Sequence, residues 1–168
     1  MKIKSITVSL GLGILGGLSA LVLSPIETSR KTLAQETTPL CPLPANIAIT
    51  FLGAKCREVT LQMPQTFFRY YSNDGNKTGR YLTTDQYQTN AETISNLALK
   101  QEWGNEAYKM LSITLPAGTT VYQGRVAPQI PFSCYRGRGQ QTFIKDSRDP
   151  SLPWVEGPTL AKDFTSCP

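Results

Sequence analysis

The residues best suited to chemistry surround a basic loop flanked by glycines, Arg136-Gly137-Arg138-Gly139. Its two arginines could hold a phosphate group in a turn of donors, or the loop could simply be solvated beside Cys134. The chain contains no histidine, which excludes Ser-His-Asp and Cys-His catalysis and every imidazole general base. Any reaction must therefore use carboxylates, tyrosine, arginine, glutamine or backbone groups.

Glu92 and Glu102 are two carboxylates that could act as general acids. Each also has an interpretation without chemistry. Glu92 falls in the first turn of a predicted helix, where the helix dipole favours an acid, and Glu102 is explained as a solvated charge. No metal site is expected, because the cysteines lack the close spacing of a zinc site and the aspartates form no recognisable calcium loop.

The basic loop lies within residues 115–144, where turns and extended segments alternate as in a pocket built from strand ends and loops. Short strands are predicted at 57–63, 66–71, 80–84, 110–115, 119–126 and 140–145. Two of them, 66–71 and 80–84, flank the turn sequence SNDGNKTG and are expected to form a hairpin. Residues 47–52 could be strand or helix, and the tail beyond residue 145 is expected to be loop-rich.

Residues 90–100 predict the one clear helix, with an apolar stripe that includes Ile94 and a cap at Thr89 or Asn90. Trp103, just beyond it, could close a rim over a pocket or pack as a cap on the helix. The elements together predict a small, strand-rich α+β domain with one or two helices.

Residues 1–34 are interpreted as a signal peptide. Two lysines precede an uncharged apolar run at 6–23, and a small-residue cleavage site precedes Gln35. An uncleaved membrane anchor is the alternative, because the run is about long enough to span a bilayer. After cleavage, residues 35–57 would form a linker and N-terminal extension, and residues 58–168 a single domain.

This interpretation places the mature protein in the periplasm or outside the cell, with no further membrane contact. Much of the net charge of +5 belongs to the predicted signal, and no basic cluster is interleaved with aromatics, so nucleic acid is not an expected partner. Four cysteines in an oxidising compartment predict two disulfides, for which three pairings exist. We expect Cys41 with Cys56 and Cys134 with Cys167, because each pair closes a shorter loop.

Three segments occur in a distinctive order along the chain. They are Arg69-Tyr70 followed by Gly79-Arg80-Tyr81-Leu82, then Val121-Tyr122-Gln123-Gly124-Arg125-Val126-Ala127-Pro128, and then Gly137-Arg138-Gly139-Gln140-Gln141. In this order they resemble segments of the tuberculosis necrotizing toxin domain, a family of NAD glycohydrolases with a reduced ADP-ribosyltransferase-like fold that also includes secreted fungal enzymes. The resemblance spans roughly residues 66–145, and it depends on the order and spacing of the segments rather than on any one of them.

The resemblance implies a role for each matching residue. Arg69 would bind the pyrophosphate of NAD, and Arg80 is expected to contact the substrate beside it. Tyr81 would pack against the nicotinamide or its ribose, and Gln141 would form a hydrogen bond with that ribose. Gly137 and Gly139 of the basic loop would let the backbone approach the substrate closely.

Two of these residues also have purely structural interpretations. Arg69 could be a sheet-face arginine paired with Asp74 or Glu58, and Tyr81 could be half-buried core. For Gln141 the functional interpretation depends on its Gly-x-Gly-x-Gln context.

The implied activity is cleavage of the nicotinamide–ribose bond of NAD, with NAD as substrate and no cofactor. Nicotinamide leaves as a neutral molecule, so positioning and charge placement matter more than a strong general acid. Hydrolysis is favoured over transfer to a protein, because no glutamate follows Gln141 in the next strand positions. A non-catalytic binding or structural module on the same fold and a protein ADP-ribosyltransferase are the alternatives. A toxin role, with an immunity or target protein as partner, is implied by the family alone.

Overall fold

The computed structural model describes residues 40–165 and residue 167 of the 168-residue chain. The predicted signal peptide lies outside the described residues. Two short helices and seven strands follow one another as α1 (Ala45–Ala48), β1 (Phe51–Thr60), β2 (Gln65–Tyr71), β3 (Tyr81–Leu82), α2 (Asn90–Asn96), β4 (Lys109–Leu115), β5 (Thr120–Val126), β6 (Gln140–Phe143) and β7 (Trp154–Thr159). The predicted strand-rich α+β fold is confirmed.

The strands form two antiparallel sheets, one in the order β1-β5-β6-β3 and the other in the order β2-β4-β7. A cluster of buried side chains from both sheets, including Phe67 of β2, Ile113 of β4 and Val121 of β5, joins them. A second cluster packs Ile94 of α2 against Tyr70 and Val126. The core therefore lies where the two sheets and α2 meet.

The predicted hairpin between residues 66–71 and 80–84 is wrong. β2 pairs with β4 along its whole length, whereas β3 pairs with β6 in the other sheet. One antiparallel bridge, between Phe68 and Thr83, is what remains of the expected pairing. The intervening segment is long enough to carry the chain from one sheet to the other, so a strong turn signal did not imply a shared sheet.

Other predicted boundaries also shift. The ambiguous segment 47–52 is the end of α1 followed by the start of β1. β1 ends at Thr60 rather than at Met63, which is exposed. α2 ends at Asn96, four residues early, because Ala98 takes a left-handed conformation with φ of 48° that a helix cannot contain.

β7 was not predicted. It contains Gly157 and Pro158, both poor strand residues. β7 pairs with β4 alone and so forms an edge of its sheet, where a proline that cannot donate a ladder hydrogen bond is tolerated.

Both predicted disulfides are present. Cys41–Cys56 ties the segment before α1 to β1, and Cys134–Cys167 ties the loop after β5 to the C-terminal tail. Within the part of the chain that the structure describes, no helix has the length and apolar character needed to cross a membrane.

The predicted helix cap is confirmed at Thr89, whose side chain accepts a hydrogen bond from the backbone N–H of Glu92 (3.2 Å). The Glu92 carboxylate in turn accepts from the N–H of Gln88 (3.1 Å). We expect Thr89→Ala to lower the free energy of unfolding by about 1 kcal/mol, because an orphan N–H loses its acceptor. Urea denaturation measures this, with Thr89→Ser as the control that keeps the cap; equal stability of the alanine variant would contradict the role.

Candidate functional site

A cavity of about 310 Å³ opens where β2, β3, the end of β5 and the chain after α2 come together. Its lining residues are Thr50, Phe68, Arg69, Tyr70, Asn76, Tyr81, Leu82, Thr83, Leu97, Ala98, Leu99, Trp103, Asn105, Val126, Ala127, Gln129 and Gln141. Arg69, Tyr81 and Gln141, which come from separate segments of the sequence, therefore line one cavity. We call it the main cavity.

Gln141 is buried, and Thr50 determines the orientation of its side-chain amide. The Thr50 hydroxyl donates to the backbone carbonyl of Ile47 (2.7 Å), an atom that can only accept. The same hydroxyl oxygen must then accept from Gln141, and Nε2 of Gln141 lies 2.9 Å away. The amide nitrogen thus faces Thr50, and among the described residues no hydrogen bond engages the amide oxygen, Oε1. This leaves a fixed acceptor at the cavity wall.

Arg69 is anchored by three backbone carbonyls. Its guanidinium donates to the carbonyl of Asn76 (2.9 Å), to that of Lys77 (3.0 Å) and to that of Tyr81 (3.1 Å). Burial lowers its pKa to about 10, so the group stays charged at neutral pH. Within the described residues it makes no ion pair, so the pairing with Asp74 or Glu58 that was the alternative interpretation is absent. A guanidinium has five N–H donors, and two remain.

Tyr81 is half-buried and contributes to both the core and the cavity. Its ring meets the ring of Phe143 edge-on, with centroids 5.3 Å apart, and it lines the main cavity. Its backbone carbonyl is one of the three that Arg69 holds. The two residues are therefore positioned together.

Gly137 and Gly139 let the basic loop pack against the end of α2. Their N–H groups donate to the carbonyls of Ser95 (2.9 Å) and Asn96 (3.0 Å). A Cβ at position 139 would lie 2.7 Å from the hydroxyl of Tyr87 and 2.8 Å from the Asn96 carbonyl. Gly137, with φ of 66°, lies against the end of β5, where a Cβ would be 2.7 Å from the carbonyl of Val126. Neither glycine lines the main cavity, so the close approaches that the structure contains are to the protein itself, and contact with a substrate stays a prediction.

Arg80 also lies outside the main cavity. It lines a second cavity, and its guanidinium carbon is 5.2 Å from the centre of the Phe143 ring. Two carboxylates were considered from the sequence. Glu102 forms an ion pair with Lys100 (2.5 Å), and Glu92 accepts a hydrogen bond from the backbone just before α2. None of the described residues that line the main cavity is an aspartate or glutamate.

Asp85 fixes the backbone just before Gln141. Its Oδ2 atom accepts from the N–H of Gln140 (2.7 Å) and from the hydroxyl of Tyr87 (3.0 Å). Burial, together with the neighbouring Asp85 charge, raises the pKa of Tyr87, so this hydroxyl remains a donor at neutral pH. Asp85 is thus a positioning residue for the strand that carries Gln141.

Sequence reasoning missed Thr50, Asn76 and Gln129 as cavity residues. Thr50 falls in a short apolar run that carries no motif, and Asn76 was read as a turn residue. The exposed Trp103 side chain does lie at the cavity, consistent with the rim that was considered for it. In the range 40–165 and at residue 167, no three Cys, Asp or Glu side chains form a group suited to a metal ion.

Fold and cavity together define a small, disulfide-linked α+β domain with a pocket at the junction of two sheets. No family model matches the chain, and no curated protein matches it. Among solved structures, that of Tne2 in complex with Tni2 is similar, with a TM-score of 0.52 and 13% sequence identity, covering 64% of this chain and 94% of that chain. At this identity the likeness shows a distant relationship of fold.

Proposed function

We propose that this chain is an exported NAD glycohydrolase that cleaves the nicotinamide–ribose bond in the main cavity. The observation that carries the proposal is the convergence of Arg69, Tyr81 and Gln141 on one cavity. Arg69 and Tyr81 come from one segment of the resemblance, and Gln141 comes from another that lies far along the chain. The fold shared with Tne2 supports a common scaffold, and the cavity volume of about 310 Å³ suits a nucleoside-sized group.

Gln141 would stabilise the ribose as positive charge develops on it. Its Nε2 atom donates to Thr50 and so fixes the amide, and the Oε1 atom is then an acceptor that could receive a hydrogen bond from a ribose hydroxyl. A fixed dipole of this kind needs no reorganisation when an oxocarbenium-like state forms. The bond that breaks joins the nicotinamide nitrogen to the ribose carbon, and both electrons leave with the nitrogen. Water supplies the hydroxyl that replaces it and releases its other proton to the solvent.

Arg69 and Tyr81 would hold the substrate in place. The two free N–H donors of Arg69 suit a phosphate oxygen, since a buried guanidinium makes short, charge-assisted hydrogen bonds. Tyr81 offers a ring in the same cavity as the acceptor of Gln141. The gain from these contacts is orientation of the scissile bond.

Water is the acceptor that the main cavity favours. Transfer to a protein commonly uses a carboxylate to activate the acceptor, and no lining residue in the described chain supplies one. Gln141 itself cannot act as a general base. Hydrolysis therefore fits the lining better than protein ADP-ribosylation.

A non-catalytic binding module is the second candidate, and the anchoring of Arg69 favours it. Three of its five N–H donors already bind backbone carbonyls. This anchoring is a structural role that needs no substrate. Under this candidate the main cavity binds a ligand without turnover.

The two disulfides fit an oxidising compartment, so we place the mature protein, residues 35–168, in the periplasm or outside the cell. Because Tne2 was solved with a protein partner, our proposal extends to a protein partner for this chain.

Nicotinamide release from NAD by the oxidised mature chain tests the proposal. We expect turnover together with an NAD-dependent rise in melting temperature, because a ligand that binds only the folded state stabilises it. A rise without turnover would favour the binding module. If millimolar NAD produced neither effect, the glycohydrolase proposal would be contradicted, and a binding module would have to recognise a ligand other than NAD. Label transfer from NAD to protein would identify a transferase instead.

A further inference from the structure

The second cavity, which contains Arg80, has a volume of about 460 Å³ and is built from residues 78–80 and 145–148. It shares no lining residue with the main cavity. A Cβ at position 79 would lie 2.6 Å from Cζ of Arg69 and would collide with its guanidinium. The segment 78–80 thus separates the two cavities.

Three cations and one carboxylate line the second cavity. Arg80, Lys145 and Arg148 are all exposed, and within the described residues none of them has an acidic partner within salt-bridge distance. Aromatic rings support two of these cations, Phe143 below Arg80 at 5.2 Å and Tyr122 below Lys145 at 5.2 Å. Stacking of this kind orients the charged ends without neutralising them.

The single carboxylate is engaged locally. Oδ1 of Asp146 accepts from the backbone N–H of Arg148 (3.0 Å) and so closes a turn around Ser147. Ser147 is buried, with 6% of its surface exposed. In the described chain its hydroxyl has no hydrogen-bond partner, and only Thr142 has a side-chain oxygen that is both fully enclosed and unpaired. The Ser147 hydroxyl is therefore open to the cavity that it lines.

We propose that the second cavity binds the phosphate group of a small phosphorylated metabolite. Arg80, Lys145 and Arg148 would supply charge, and the Ser147 hydroxyl would supply a neutral donor. Arginine forks suit phosphate oxygens geometrically, and the lining attracts an anion because its three cations outnumber the single carboxylate of Asp146. The site is independent of the proposed NAD activity, since it lies on other residues.

Inorganic phosphate and AMP are the two probes, added separately to the isotopically labelled mature chain at constant ionic strength. We expect saturable changes in the backbone NMR signals of residues 78–80 and 145–148. If AMP binds more tightly than phosphate, the metabolite is a nucleotide; if both bind equally, the phosphate group alone is recognised. Either result supports the site.

Arg80→Gln and Arg148→Gln are each expected to weaken binding roughly tenfold, since each removes a charge-assisted contact. Arg57→Gln, which removes an exposed arginine that lines neither cavity, should bind like the unaltered protein. Signal changes that do not saturate, or that chloride also produces, would overturn the proposal. Equal weakening of binding by all three variants would overturn it as well.

Discussion

Gln141→Ala is expected to reduce nicotinamide release from NAD by roughly a hundredfold, because removing one preorganised group that stabilises developing charge costs about that much in kcat. The loss should fall mainly on kcat rather than on KM, since the Oε1 contact strengthens as the ribose becomes cationic. Steady-state assays of nicotinamide release, with melting temperature as the folding check, measure it.

Two matched variants make this result specific. Gln140→Ala removes a neighbouring side chain that does not line the main cavity, and it should retain full activity. Thr50→Val removes the hydroxyl that orients the Gln141 amide, so we expect an intermediate loss of kcat. If Gln141→Ala kept wild-type kcat, Gln141 would not be a catalytic residue and the proposed mechanism would fail.

The residues that line the main cavity could be predicted from the sequence where they belong to a recognisable motif. Arg69, Tyr81 and Gln141 fall in segments that are informative through their order and spacing, although no single segment is specific. Thr50 could not be predicted in this way, because its importance arises from a contact with Gln141 that is 91 residues distant in sequence. A contact of this length depends on how the sheets assemble, and no local pattern encodes it.

Arg80 shows a different limit of sequence reasoning. It is adjacent to Tyr81 in sequence, so a motif match assigns both to one site. Successive residues of extended chain point to opposite sides, and the structure places Tyr81 at the main cavity and Arg80 at the second cavity. The motif match therefore assigned to one site two adjacent residues that line different cavities.

The sheet assignment failed for a related reason. Strand propensity and a strong turn correctly located β2 and β3 but not their partners. The turn predicts that the chain reverses direction, whereas pairing depends on which apolar faces are buried together. Phe67 of β2 and Leu82 of β3 do share a buried cluster, so apart from the single bridge between Phe68 and Thr83 these segments meet through side chains.

Arg69→Met is expected to lower the free energy of unfolding by about 2–4 kcal/mol, because three part-buried carbonyls lose their donor at once. Those carbonyls belong to Asn76, Lys77 and Tyr81, so the segment that separates the two cavities should loosen. Methionine keeps most of the side-chain length, which limits the packing change. Urea denaturation measures the stability, and hydrogen exchange of residues 76–82 localises the loss.

Gly79→Ala tests the same anchor without altering Arg69. The new methyl group would displace the guanidinium that lies 2.6 Å from its position, so we expect a smaller loss of stability, about 1–2 kcal/mol, with faster exchange in the same segment. Arg57→Gln is the matched control that removes an exposed arginine from β1. Normal stability of Arg69→Met would show that the segment holds its conformation unaided, and Arg69 would then be free to serve a ligand alone.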